Sequence, residues 1–225
     1  MGTHSLIEKD FKGLKFNFQE TKTAPQLIEE VFSDNYRVFE SGVKIAAGDV
    51  IVDAGANEGM FSVLMSKFFP EARIIALEPI TRTREILEEN LRVNGCENVV
   101  VCPYALGTGD DTTFTVSKDY TGGSSGLIKF KESDHYQEIV STLTLSDVFD
   151  LYRIDRCRLL KLDIEGMEYD VLYAAGELLR RVDYLSAEFH LNNVLDFNGR
   201  RIEGLANWVS NRTKVLHVDV CRMAD

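Results

Sequence analysis

Short runs of aliphatic residues recur along this chain, each bounded by polar or glycine-bearing segments and followed by a stretch with helical apolar spacing. Val50, Ile51 and Val52 open the clearest unit: a buried strand over 50–54, a turn carrying Gly55 and Gly59, and a helix over 58–69. The same alternation predicts a strand at 73–78, a helix at 82–93 and a strand at 98–104, with Asn94-Gly95 ending the second helix through a left-handed cap. Further on, LLKL at 159–162 predicts a core strand and YDVLYAAGELL the helix behind it. Residues 184–190 give another strand, 203–210 a helix after the polar loop 192–200, and 214–220 a last strand. Strand–helix–strand repeats of this kind imply an α/β fold with a mostly parallel, doubly wound sheet and right-handed crossovers. Residues 1–42 form a preamble with a strand at 14–18, a helix at 25–32 begun by Pro25, and a short strand at 36–39. The preamble is expected to serve as a lid, and residues 43–225 to form the main domain.

The rhythm breaks in the middle. Strand-like patches at 112–116 and 139–143 flank the stretch SKDYTGGSSGLIKFKESDHYQ, in which Gly122, Gly123 and Gly126 exclude a regular helix or central strand. A loop of this length is either a hairpin tip or a segment that closes over a cleft, with Ser124 and Ser125 its candidate substrate contacts. Ser146 is expected to cap a short helix at 147–152.

Candidate chemistry collects where predicted strands end. The turn after the first core strand reads Asp53, Gly55, Asn57, Glu58, Gly59, which lets backbone approach a ligand closely and aims a helix N-terminus at it. The next strand delivers Glu78, followed by Pro79; a carboxylate there suits ribose hydroxyls. The turn is not the G-x-G-x-x-G of a dinucleotide site, and carboxylates at Asp53 and Glu58 would repel a pyrophosphate. The same carboxylates would attract the sulfonium or amino group of S-adenosylmethionine. About a hundred residues on, Asp163 and Glu165 leave the LLKLDIEG strand at the edge where open α/β sheets bind ligands. Glu188 and His190, an i, i+2 pair, leave the following strand on one face.

Taken in order, D-x-G-A-N-x-G, a strand ending in EP, KLDIEG-x-E and E-x-H resemble the FkbM family of S-adenosylmethionine-dependent methyltransferases. The likeness runs from about Tyr36 to His190. It is strengthened by Asn90, by Ala105-Leu106-Gly107 in place of the family's A-[LV]-[GS] segment, by the Gly/Ser loop at 123–127 and by LTLSDVF at 143–149. The resemblance implies a class I, Rossmann-like methyltransferase fold and methyl transfer, usually to an oxygen of a small molecule or sugar. It also implies cofactor contacts from Asp53, Gly55, Asn57, Glu58, Gly59, Glu78, Pro79, Ala105, Leu106 and Asp163. His190 is then the natural base, with Glu188 and Asp163 beside it. Asp163 or Glu165 can hold the methionyl amine, orient the acceptor or, with Glu188 and His190, converge on a divalent cation, although no dedicated metal-loop spacing is present. A nucleoside-binding protein that keeps the fold without turnover is the alternative. Class I sheets usually end in a reversed strand; here either the sheet is one strand short or the preamble supplies one.

Composition narrows the partners. The chain has 225 residues, 44% hydrophobic, with 25 Lys plus Arg against 36 Asp plus Glu and a net charge of −11. That balance disfavours duplex nucleic acid and anionic membranes as partners. Arg82, Arg84 and Arg92 on one predicted helix read as a solvated face. Cys96, Cys102, Cys157 and Cys221 fit no zinc or C-x-x-C spacing, which with the lack of an export signal or apolar span suggests a reduced, cytoplasmic protein.

Overall fold

The computed structural model describes residues 5–118, 135–191 and 202–222. A polar start pairs with the predicted first strand: β1 (Leu6–Phe11) and β2 (Leu14–Gln19) form an antiparallel hairpin turned at Lys12 and Gly13, both at positive φ. α1 (Ala24–Phe32) follows, with Pro25 in its first turn. β3 (Val50–Ala54), α2 (Met60–Phe68), β4 (Arg73–Leu77), α3 (Thr81–Asn94) and β5 (Val99–Cys102) then alternate as the hydrophobic pattern requires, and Gly95 caps α3 at a φ of 64°.

After β5 the chain makes a pair of residues, β6 (Ala105–Leu106), and an antiparallel ribbon of β7 (Thr112–Ser117) with β8 (His135–Val140). β9 (Thr142–Leu143) lies parallel to β6. α4 (Leu145–Leu151), β10 (Cys157–Leu162), α5 (Glu168–Ala175) with a 3-10 turn at Gly176–Arg181, β11 (Val182–Leu191), α6 (Ile202–Ser210) and β12 (Lys214–Arg222) complete the fold.

The main sheet runs β12-β11-β10-β3-β4-β5, and every pair in it is parallel. Residues alternate faces along each strand, so the sheet divides two apolar layers. Val52, Ile75, Leu160 and Leu162 pack with residues of α4, α5 and α6 on one side, and Ile51, Ile74 and Leu159 with α1, α2 and the β1–β2 hairpin on the other. The last strand is therefore parallel to its neighbour, and the preamble strands pair only with each other, so the preamble does not complete the sheet.

Several boundaries differ from the sequence expectation, each for a local reason. Residues 36–39 are turns, not a strand: Asp34 and Arg37 sit at positive φ, and the Asp34 carboxylate accepts the amides of Phe39 and Glu40 at 2.8–3.2 Å. α4 begins two residues earlier than expected because Thr144, not Ser146, caps it in a reciprocal box with Asp147. Residues 98–104 hold a shorter strand, and 139–143 divide between β8 and β9. Arg84 is not simply solvated; its guanidinium donates to the carbonyls of Glu78 and Pro79 at 3.1 and 2.7 Å. The loop holding Ser124 and Ser125, and the polar stretch at 192–200, lie outside the described residues.

The preamble is built into the core. Phe16 meets Phe32 edge to face at 5.0 Å, and Phe11 reaches Phe32, Phe39 and Phe68 at 5.2–6.0 Å. Aromatic pairs of this kind add about 0.5–1.5 kcal/mol each beyond area burial. Asn90 and Asn94 of α3 accept the amides of Gln19 and Asn17 at 2.7 and 3.0 Å. No helix among the described residues is long and apolar enough to cross a membrane.

Candidate functional site

The chain winds from β3 outward to β5, crosses back, and winds the other way from β10 to β12. The carboxyl ends of β3 and β10 are therefore neighbours at the topological switch point, with Asp53 opposite Lys161 and Ala54 opposite Leu162. A crevice opens there because the connections leave in opposite directions.

Gly55 turns the chain away from β3 at a φ of 76°. A Cβ at this position would lie 1.7 Å from the Asp163 carbonyl oxygen, so only glycine lets the two strand exits approach this closely. Beside it is a cleft lined by Gly55, Asn57, Glu78, Pro79, Leu106 and Asp163, with Ala105, Ile80 and Phe114 at its apolar side. The buried Glu78 carboxylate accepts the amides of Asn57 and Ile80 at 3.0 and 2.9 Å. Burial pushes its pKa up to about 7, against the pull of those two amides. Asn57 also stands at positive φ, and its buried Oδ1 has no hydrogen-bond partner among the described residues.

A second, roomier cleft shares Gly55, Asn57, Asp163 and Glu165 with the first and runs on to Glu30, Tyr36, Glu188 and His190. Its floor is an ion-pair network. Lys161, almost wholly buried, donates to the Gly55 carbonyl at 2.7 Å and lies 3.4 Å from Asp53 and 3.5 Å from Asp163. Burial works against its charge, but the carboxylates of Asp53 and Asp163 more than reverse this and hold the ammonium above the ordinary lysine range. Asp53 also accepts from Ser62 at 2.7 Å, while its Oδ1 lacks a hydrogen bond and depends on Lys161 for compensation. The Tyr36 hydroxyl stands 2.9 Å from Asp163 and 3.0 Å from Glu30. Having one proton, it can donate to only one of them; burial and the nearby Asp163 raise the Glu30 pKa, so a protonated Glu30 can complete the chain.

His190 lies 3.0 Å from Glu168 through Nδ1, and Glu168 is itself held by the amides of Ile164 and Gly166 at 3.1 Å. The other ring nitrogen faces Asp163, Glu165 and Glu188 at 3.9, 3.8 and 3.8 Å. Burial alone would lower the His190 pKa, but the Glu168 bond and the surrounding carboxylates raise it to about 9. The ring is therefore charged at neutral pH, opposite to what a general base needs, unless another positive charge takes the proton's place among these carboxylates. Glu165, at positive φ, is raised to about 7, chiefly by burial.

The structure thus brings Gly55, Asn57, Glu78, Pro79, Ala105, Leu106, Asp163 and Glu165 to the first cleft, and Glu58, Glu188 and His190 to the second. Asp53 and Gly59 line neither. Asp53 is fully buried, and Gly59 is the N-cap of α2, where an added Cβ would lie 2.3 Å from the Leu87 side chain. The Glu58 carboxylate accepts from Thr21 at 2.8 Å and Thr23 at 2.6 Å, fastening the preamble to the turn. Lys161, Tyr36, Glu30 and Glu168 were not singled out by sequence reasoning. A signal existed for two of them: the lysine within the apolar run LLKL for Lys161, and the closing glutamate of KLDIEG-x-E for Glu168.

Comparison with known proteins agrees with this geometry. A sequence model of the methyltransferase FkbM domain matches residues 53–216. Methyltransferase sdnD of Sordaria araneosa is 28% identical over 205 residues, which cover 78% of this chain and 77% of that protein. Methyltransferase 1 of Beauveria bassiana is 29% identical over 140 residues, 54% of this chain and 56% of that protein. The AMB antimetabolite synthetase AmbE of Pseudomonas aeruginosa matches at 26% identity over 78% of this chain but only 8% of its own length. Among solved structures, a putative rRNA-methylase from Clostridium thermocellum aligns at 8% identity and a TM-score of 0.46, covering 84% of this chain and 82% of that one. The family match, which begins at Asp53 near the end of β3, ends in β12 and covers most of the chain, places this protein in the FkbM methyltransferase family, an S-adenosylmethionine-dependent methyltransferase whose parallel sheet with its cleft at the switch point is that of the class I fold.

Proposed function

We propose that the protein transfers the methyl group of S-adenosylmethionine to a hydroxyl oxygen of a small molecule or sugar bound in the second cleft. The residues of the first cleft fit the cofactor. Glu78 offers a carboxylate to ribose hydroxyls, Asn57 an unsatisfied acceptor, and Ala105, Leu106 and Phe114 an apolar wall. The bound cofactor supplies an already activated methyl group, so the protein's task is alignment and management of the acceptor's proton.

The observation that carries the oxygen assignment is the junction of the clefts. They meet at Gly55, Asn57, Asp163 and Glu165, and the second leads directly to Glu188 and His190. A hydroxyl there is surrounded by groups able to accept its hydrogen bond and to shelter its proton. An anionic polymer would meet carboxylates instead of the basic surface it needs. Incubating the protein with methyl-labelled cofactor and a panel of hydroxylated metabolites and glycans should give a product heavier by one methyl, with the label carried on oxygen. Transfer solely to nitrogen or carbon, or solely to RNA, would refute the assignment.

A further inference from the structure

We propose that Asp163, Glu188 and His190 form a binding site for one divalent cation in the second cleft, beside its junction with the first. Each residue offers one ligand atom, and the three atoms lie within 4.8 Å of one another. The spacings suit an ion better than direct contact. His190 Nε2 is 3.9 Å from Asp163 Oδ1 and 3.8 Å from Glu188 Oε1, beyond hydrogen-bond reach. Two ligands each about 2.1 Å from a shared ion, at an angle of about 90–130°, are separated by about 3–3.8 Å. Glu165 Oε2, also 3.8 Å from Nε2, adds negative charge beside the site without belonging to the group of three.

An independent observation concerns the histidine itself. His190 is 8% exposed, and its Nε2 is aimed into the cluster without a hydrogen-bond partner there. Its Nδ1 is bound by Glu168, which two backbone amides hold rigidly. A metal-ligating imidazole characteristically gives its second nitrogen to a carboxylate, which fixes the ring and frees the other nitrogen for the ion. The three ligand side chains keep 10–22% exposure, so the ion has a path from solvent and keeps open positions toward the cleft. One imidazole with two carboxylates suits a cation such as Mn²⁺, and an ion there would hold an acceptor hydroxyl and make it more acidic.

The test does not depend on knowing the acceptor. Chelator-treated, desalted protein is titrated with Mn²⁺ alone, followed by calorimetry and by loss of the free-ion paramagnetic resonance signal. One ion per chain is expected, saturating below about 1 mM. Binding should weaken at least tenfold in Glu188→Gln and in His190→Gln, and about 10- to 100-fold in Glu168→Gln, whose side chain touches the ion only through the ring. Glu88→Gln, an exposed acid elsewhere, should bind as the parent does. Should the cluster variants fail to fold, the parent still decides: Mn²⁺ must raise its melting temperature in a saturable manner. Absence of saturable binding by the parent, or undiminished binding in both folded ligand variants, overturns the site. Methyl transfer to hydroxyls is scored separately, so failure of that assignment and failure of the ion site are told apart.

Discussion

Replacing Lys161 by methionine tests whether the carboxyl ends of β3 and β10 are held together by charge. Methionine keeps the length and apolar stem of the lysine but removes the ammonium from a wholly enclosed position. Asp53 is fully buried, and its Oδ1 has no hydrogen bond to fall back on. Removing one partner of such a pair leaves an uncompensated charge and costs about 3–5 kcal/mol. In a domain of this size each kcal/mol moves the melting temperature by about 2–4 °C, so the variant should melt roughly 6–20 °C lower. The loss of the bond to the Gly55 carbonyl adds to the same deficit and loosens the cofactor turn. Thermal and urea unfolding of Lys161→Met, of Asp53→Asn and of the double variant form a cycle. If the charge argument is right, Asp53→Asn should be much less harmful when combined with Lys161→Met than alone, with a coupling of about 1–3 kcal/mol. A single Lys161→Met cost below about 1 kcal/mol, or strictly additive losses, would refute it.

Three further outcomes follow from the same geometry. Glu78→Ala should weaken binding of S-adenosylhomocysteine about 30- to 150-fold by calorimetry, the equivalent of about 2–3 kcal/mol for two charge-assisted hydrogen bonds. Because burial raises Glu78 from 4.5 to about 7, the folded state keeps a proton that the unfolded chain has released, so ligand-free stability should fall as pH rises from about 4.5 to 7. That contribution amounts to about 3 kcal/mol; it should vanish in Glu78→Gln, and cofactor affinity in the parent should strengthen as pH rises through 7. Gly55→Ala should destabilise by well over 1 kcal/mol and cut cofactor affinity, since its Cβ would overlap the Asp163 carbonyl and its φ disfavours a side chain; normal melting and binding in that variant would show that the strand ends can part freely.

The centre of the main sheet was legible because β3, β4 and β5 are compact apolar runs and α1 and α3 carry amphipathic repeats. Gly95 and Pro25 marked ends that the structure keeps. What escaped was structure made by side chains meeting backbone over short range. Asp34 folds residues 36–39 into turns by accepting two amides, although Tyr36, Val38 and Phe39 look like a strand. β1 was invisible because its alternation is weak: residues of LIEKDF alternate only between partly buried and exposed. Its partner β2 supplies the buried aromatic side chains Phe16 and Phe18. The preamble's anchoring by Asn90 and Asn94 depends on residues more than seventy positions away, which no local pattern reports.

The candidate site was legible where function needs an unusual residue at a strand exit, and illegible where it needs support. Glu78, Asp163, Glu188 and His190 stand out because carboxylates and imidazoles seldom terminate buried strands without a ligand or partner. Lys161 is as unusual, yet its meaning depends on which strand lies beside β10, and only the sheet order reveals Asp53 across from it. Glu168 is the acidic first residue of α5, and only the fold shows that it aims His190. The tyrosine from the preamble closes the argument. Tyr36 reaches Asp163 across 127 positions of sequence and Glu30 across six, so the segment expected to act as a lid donates directly into the acidic cluster. The same segment is fastened by Thr21 and Thr23 to Glu58 in the cofactor turn. Turn, preamble and cluster therefore share one hydrogen-bonded frame, and the contact that couples them lies between residues whose roles neither strand pattern nor motif spacing could connect.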